Sequence, residues 1–139
     1  MCIDGSNVKL RIVDTKGEDR SKITKTSCKG AQGIVLCYDS TSVVTFDNVE
    51  QWMQQIDQHA TTDCEKLLVA TKCDKETKVI SSEEGLKLAT KFNMTFFETS
   101  AQTGLGVNEA FEHIVKSCIK KQTPGGPKLG VLNSTTNKV

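Results

Sequence analysis

Four short apolar runs, separated by segments with helical periodicity, constrain this chain to an α/β fold. Residues 33–38 read Gly-Ile-Val-Leu-Cys-Tyr without a polar break and stop at Asp39; Leu67-Leu68-Val69-Ala70 and Thr95-Phe96-Phe97 repeat the pattern. Apolar runs this short, without alternation, are strands covered on both faces, as in a parallel sheet. The first run differs. From Val8 to Asp14 the residues alternate, with Val8, Leu10 and Ile12 on one side and Lys9 and Arg11 on the other. That is a half-exposed strand. Asp4-Gly5 just before it is a hairpin turn signal, so Cys2 and Ile3 read as the stub of an antiparallel partner.

Between the runs the period changes to that of a helix. Phe46, Val49, Trp52, Met53 and Ile56 recur at helical spacing, with Asp47, Glu50, Gln51, Gln54 and Gln55 on the other face. Ser81-Ser82-Glu83-Glu84 supplies a cap and an acidic first turn for a helix continuing through Leu86, Leu88 and Ala89. Val107, Ala110, Phe111, Ile114, Val115 and Cys118 form a last amphipathic helix. Trp52 and the pair Phe96-Phe97 read as core. After Lys121 the pattern stops at Pro124-Gly125-Gly126-Pro127, and residues 122–139 read as a flexible tail. Strands alternating with helices give a mostly parallel sheet whose strand-end loops share one rim.

At 139 residues the chain makes one small domain. Its formal charge is +1 with acids and bases intermixed, so neither a nucleic-acid stripe nor a polybasic membrane patch is present. No secretory signal pattern opens the sequence, and its apolar stretches are too short to span a bilayer. Cys2, Cys28, Cys37, Cys64, Cys73 and Cys118 are scattered without a C-x-x-C pair, and His59 and His113 stand apart from any paired cysteines. Free thiols are expected rather than disulfides or zinc.

Three strand ends carry polar motifs that suit a nucleotide crevice. In Asp14-Thr15-Lys16-Gly17-Glu18, a strand-end carboxylate can hold Mg²⁺ through water, and Gly17 lets a backbone N–H approach a terminal phosphate. In Thr71-Lys72-Cys73-Asp74, the Asp74 carboxylate can accept from guanine N1–H and its exocyclic amine, a donor pair adenine lacks, while the Lys72 stem lies along the flat base. In Glu98-Thr99-Ser100-Ala101, the Ala101 N–H can face guanine O6, Ser100 shapes the loop and Glu98 ties it to a neighbour. Each motif alone is also what an ordinary charged turn looks like.

In this order and at these strand ends, the motifs resemble those of Ras-superfamily small GTPases, most closely the Rab branch. The resemblance runs from about Ile3 to Lys121 and takes in Lys9-Leu10-Arg11-Ile12, Arg20 to Thr24, Lys29-Gly30-Ala31, Tyr38-Asp39-Ser40-Thr41 and Ser42 to Ala60. It implies a three-layer α/β small-GTPase (P-loop NTPase) domain over residues 1–121, binding GTP or GDP with Mg²⁺ held through Asp14. It also implies hydrolysis as the family activity, a role in vesicle trafficking, and Rab regulators or effectors as partners. A cytoplasmic monomer, peripheral to endomembranes through those partners, is expected.

The sequence departs from the family pattern. The phosphate-binding motif G-x-x-x-x-G-K-[ST] occurs nowhere in these 139 residues. The expectation is an N-terminally truncated domain without the first strand, the phosphate loop and the first switch. The missing strand belongs between those at 8–13 and 34–38, so these two either pair directly or stand about 9–10 Å apart. Glu18 takes the place of the family's water-orienting Gln, Thr71 that of an Asn, and Gln102 that of a base-packing Lys. The chain closes on Asn137-Lys138-Val139 with no prenylation motif, so no C-terminal prenyl anchor is expected. Three readings follow: a guanine-nucleotide binder with impaired hydrolysis, a non-catalytic pseudo-GTPase interaction module, or a non-functional truncated product.

Overall fold

The computed structural model describes residues 1–15, 28–122 and 129–136. Strands β1 (Cys2–Ile3) and β2 (Ser6–Asn7) pair antiparallel around Asp4 and Gly5, whose φ angles of 47° and 79° are both left-handed. This is the turn that an Asp-Gly pair favours. Then follow β3 (Lys9–Thr15), β4 (Gly33–Asp39), α1 (Val43–His59), β5 (Glu65–Thr71), α2 (Ser82–Lys91), β6 (Thr95–Glu98), α3 (Val107–Lys121) and β7 (Leu129–Thr136). Five strands form one sheet in the order β3-β7-β4-β5-β6, every neighbouring pair parallel.

The alternation of side chains along β4 and β5 builds two cores. Ile34, Leu36, Tyr38, Leu68 and Ala70 pack with Val49, Trp52, Met53 and Ile56 of α1 and Leu88 and Ala89 of α2. Val35, Cys37, Leu67 and Val69 face the other way, onto Ala110, Ile114, Val115 and Cys118 of α3. Helices cover both faces, so both phases of each strand are apolar, and three layers result. Each large side chain so buried stabilises the fold by about 1.5–3 kcal/mol. Trp52 lies in the first core, and Phe96 and Phe97, half-buried, pack on opposite faces. Cys28, Cys37, Cys64 and Cys118 are buried free thiols, Cys73 is partly covered and Cys2 is exposed.

Two apolar positions depart from the expected pattern. Ile12 is 51% exposed although Val8 and Leu10, on the same side of the strand, join the α3-side core. β3 lies at the sheet edge, where alternation along the strand does not guarantee cover. Leu86 is 56% exposed because the buried stripe of α2 runs through Gly85, Leu88 and Ala89 instead. Ser81 caps that helix as expected, accepting from the Glu84 N–H while Glu84 reaches back to the Ser81 N–H. Gly85 permits close approach: a Cβ there would lie 2.4 Å from both Phe96 Cζ and Tyr38 Oη.

The largest departure is β7. The expected irregular tail is, over residues 129–136, an extended strand in the slot between β3 and β4. Seven positions register with β3, from Lys9 opposite Leu129 to Thr15 opposite Thr135, and five with β4, from Gly33 opposite Leu132 to Cys37 opposite Thr136. Strand edges left open on β3 and β4 leave N–H and C=O groups without partners, and one inserted strand supplies both edges. The two expected alternatives, direct pairing or a gap, are thereby replaced by a filled slot.

Two substitutions check these assignments by urea unfolding followed through Trp52, the single tryptophan. Val131→Pro removes an N–H from the middle of β7 and is expected to cost about 1–3 kcal/mol through an unsatisfied carbonyl. Unchanged stability would show that β7 does not hold the sheet together. Gly85→Ala is expected to cost about 1–3 kcal/mol by overpacking against Phe96 and Tyr38.

Candidate functional site

Because all five strands run the same way, their C-terminal ends form one rim carrying Asp14, Asp39, Thr71 and Glu98. The loops after β5 and β6 are bonded to each other there. Thr99 donates to the Ala70 carbonyl through both its N–H (2.8 Å) and its Oγ1 (3.0 Å), and the Cys73 N–H donates to the Thr99 carbonyl at 3.0 Å. The Thr71 hydroxyl donates to the Tyr38 carbonyl at 3.0 Å, and the Ser40 N–H to the Thr71 carbonyl at 3.1 Å. These contacts fasten the β5 loop to β4 on one side and to β6 on the other.

This fastening brings Asp74 and Ser100 together. A hydrogen bond from the Ser100 hydroxyl holds the Asp74 carboxyl below its ordinary range; slight desolvation opposes this, and the Asp74 N–H and the Lys75 charge reinforce it. Ser100 is itself fully buried. Its N–H donates to the Leu105 carbonyl at 3.0 Å, its carbonyl accepts from the Gly104 N–H at 2.8 Å, and its Oγ accepts from the Thr103 N–H at 3.2 Å. Ser100 therefore shapes the loop, as the sequence suggests, and its hydroxyl favours the ionised form of the carboxyl opposite. Ala101 lies exposed in the turn it holds.

The loop closes through glycines that the motif reading does not include. Gly104 and Gly106 have φ of 81° and 67°, and a Cβ on Gly106 would fall 2.1 Å from the Glu98 carbonyl oxygen. The Gly-Leu-Gly spacing just after Ser100-Ala101 is the signal for them. Glu98 meets the expectation of a tie: its carboxylate pairs with Lys78 and accepts from Ser82 Oγ at 2.6 Å, in the first turn of α2. Burial alone would raise the Glu98 pKa, but the hydrogen bonds from Lys78 and Ser82 and the Lys78 charge outweigh it and lower the value.

Lys72 has a left-handed φ of 58°, and its ammonium pairs with Asp39, at the end of β4. Asp39 also accepts from the Thr41 N–H (2.9 Å) and Oγ1 (2.7 Å). Lys75 bonds Gln102 Oε1 at 3.2 Å. Asp14 is exposed at the end of β3, three strand positions from β5, or about 14 Å. Gly17 and Glu18 lie outside the described residues. Among those described, no group of three His, Cys, Asp or Glu side chains converges as a metal cluster. Asp14 supplies one carboxylate, whereas Mg²⁺ takes six oxygens; the ion fits there only with phosphate and water oxygens completing its shell.

A parallel α/β sheet covered by helices on both faces, with polar loops gathered at the carboxyl ends of its strands, defines the doubly wound α/β class of fold. Comparison with known proteins identifies it further. The Ras family model matches residues 1–120. The chain is 38% identical to Ras-related protein Rab-13 of Canis lupus familiaris over 130 residues, covering 92% of this chain and 63% of that protein. It is 40% identical to human Ras-related protein Rab-8B over 121 residues (86% and 58%). It is 42% identical to Rab-18 of Caenorhabditis elegans over 126 residues (89% and 61%). The chain belongs to the Ras family of small GTPases, in its Rab branch. It spans about three fifths of the length of these relatives. Among the described residues no helix is long and apolar enough to cross a membrane.

The Glu98 tie has a pH signature. A carboxylate whose folded pKa is lowered contributes stability that is complete above its ordinary value of 4.5 and is lost as pH falls through the lower folded value. Glu98→Gln is expected to flatten the acid limb of stability below about pH 4.5, measured by urea unfolding between pH 3 and 6. An unchanged limb would show that the tie carries no folding energy.

Proposed function

We propose that this rim binds guanine nucleotides by reading the base. The observation that supports this most directly is the juxtaposition of an ionised Asp74 with the Ser100-Ala101 loop, held by the Thr99 and Cys73 hydrogen bonds. An acceptor-only carboxylate suits the N1–H and amino donors of guanine and repels the bare N1 lone pair of adenine. The Ala101 N–H is the donor for guanine O6. The Lys72 stem provides an apolar surface for one face of the ring.

The polyphosphate would extend from the β5 loop toward β3, where Asp14 and Gly17 take its metal-bound end. Mg²⁺, when bound there, neutralises phosphate charge. Asp14 would hold the ion through water, and the sequence places Gly17 three residues on, where a glycine would let a backbone N–H approach a phosphate. In sequence Glu18 takes the place of the family's Gln, and a carboxylate in that role would repel the terminal phosphate and slow hydrolysis. Residues 1–121 carry the nucleotide-binding surface. Kinship with Rab proteins supports a role in vesicle traffic together with Rab regulators or effectors.

The test is titration of the 139-residue polypeptide with GDP and Mg²⁺, with ADP as the control. Without a phosphate-loop motif in these residues, the expected Kd for GDP is about millimolar, roughly −4 kcal/mol. ADP is expected not to saturate, and Asp74→Ala to abolish the preference. Equal binding of both nucleotides, or GDP binding unaffected by Asp74→Ala, overturns the guanine assignment.

A further inference from the structure

Lys72 is restrained at both ends. Its backbone holds the left-handed φ of 58°, and its carbonyl accepts from the Lys75 N–H at 3.0 Å, closing the turn that presents Asp74. Its ammonium lies 2.5 Å from Asp39 Oδ2. The Asp39 side chain is mostly covered, at 17% exposure, against 57% for that of Lys72. The Asp39 carboxylate is fixed in turn by the Thr41 N–H and hydroxyl on Oδ1, while the Asp39 N–H donates to Thr45 Oγ1 at 2.9 Å. A mostly covered acid at the end of β4, held by Thr41, thus anchors an otherwise exposed cation that starts at the end of β5. The Lys72 side chain thus links the ends of β5 and β4.

We infer that Asp39 is a positioning residue for guanine recognition: its carboxylate holds Lys72 across the rim as a preformed floor for the base and does not touch the nucleotide itself. This inference rests on the guanine reading above. A lysine stem ordered beforehand spares the base the entropy of ordering it. The opposite role is also chemically defined. If Asp39 competed with a phosphate for the Lys72 ammonium, removing its charge would strengthen GDP binding and leave guanosine binding unchanged.

The experiment uses the 139-residue polypeptide, with guanosine and GDP titrated separately by NMR against the parent, Asp39→Asn, Lys72→Met and the double variant. Asn keeps an oxygen for the two Thr41 donors, so the β4 end stays formed. Asp39→Asn is expected to weaken guanosine and GDP equally, by roughly three- to tenfold, the weight of immobilising one flexible side chain. In the double variant it is expected to add nothing to the loss from Lys72→Met. Unchanged guanosine affinity, tighter GDP binding or additive losses each overturn the inference.

Two further readouts separate its failure from failure of the guanine reading. Asp74→Ala reports on base reading alone. If it leaves guanosine binding intact, or if the parent binds no guanosine, the guanine reading falls and this inference falls with it. The Asp39 carboxyl titration reports on the ion pair alone and is expected to move up in Lys72→Met. If it does not move, the anchor does not exist and the inference fails whatever Asp74→Ala shows.

Discussion

The Ala70 carbonyl, at the end of β5, accepts from both the N–H and the hydroxyl of Thr99. One oxygen at the edge of the core thereby fixes the place where two loops leave the sheet. Without it, the β6 loop would be tied to the β5 loop by the Cys73 N–H bond and by exposed side-chain contacts such as Lys75 with Gln102. Thr99 is buried, so these bonds are shielded from water and are costly to leave unmade. The two loops of the site therefore leave the sheet from one shared anchor.

Charge along the rim is arranged around that anchor. Asp39, Asp74 and Glu98 are each held ionised by donors from a neighbouring segment: Lys72 and Thr41, Ser100, and Lys78 with Ser82. Each carboxylate joins two elements adjacent in the sheet or packed on it. Such exposed or half-exposed pairs contribute modestly to stability individually. Their larger effect is geometric, because they limit the positions that Lys72 and Asp74 can take.

Much of this was legible in the residues. The unbroken run ending at Tyr38, the helical stripe of Val49, Trp52, Met53 and Ile56, and the Ser81-to-Glu84 cap all report local periodicity or chemistry that the fold preserves. The second and third motifs, and Asp14 of the first, landed on one rim because parallel strands leave no other place for their ends. What was not legible depends on contacts distant in sequence. Nothing in Leu129–Thr136 distinguishes a strand from a polar tail until β3 and β4 present open edges on both sides. Asp39 reads as the polar stop of a strand, and its hold on Lys72 emerges only when β4 and β5 are side by side. Gly106 looks like a turn glycine, yet its constraint comes from the Glu98 carbonyl, eight residues earlier.

The family match covers residues 1–120, so β7, the strand between β3 and β4, comes from beyond it. Closing the sheet therefore rests on a pairing distant along the chain. α1, α2 and α3 can condense on β4, β5 and β6 through contacts between neighbouring segments, whereas the neighbour of β3 in the sheet is β7, far downstream. Such a high contact order slows closure, and a nascent chain would expose two unpaired edges throughout that wait. Its vulnerability to aggregation would thus be concentrated in the interval before the final strand arrives.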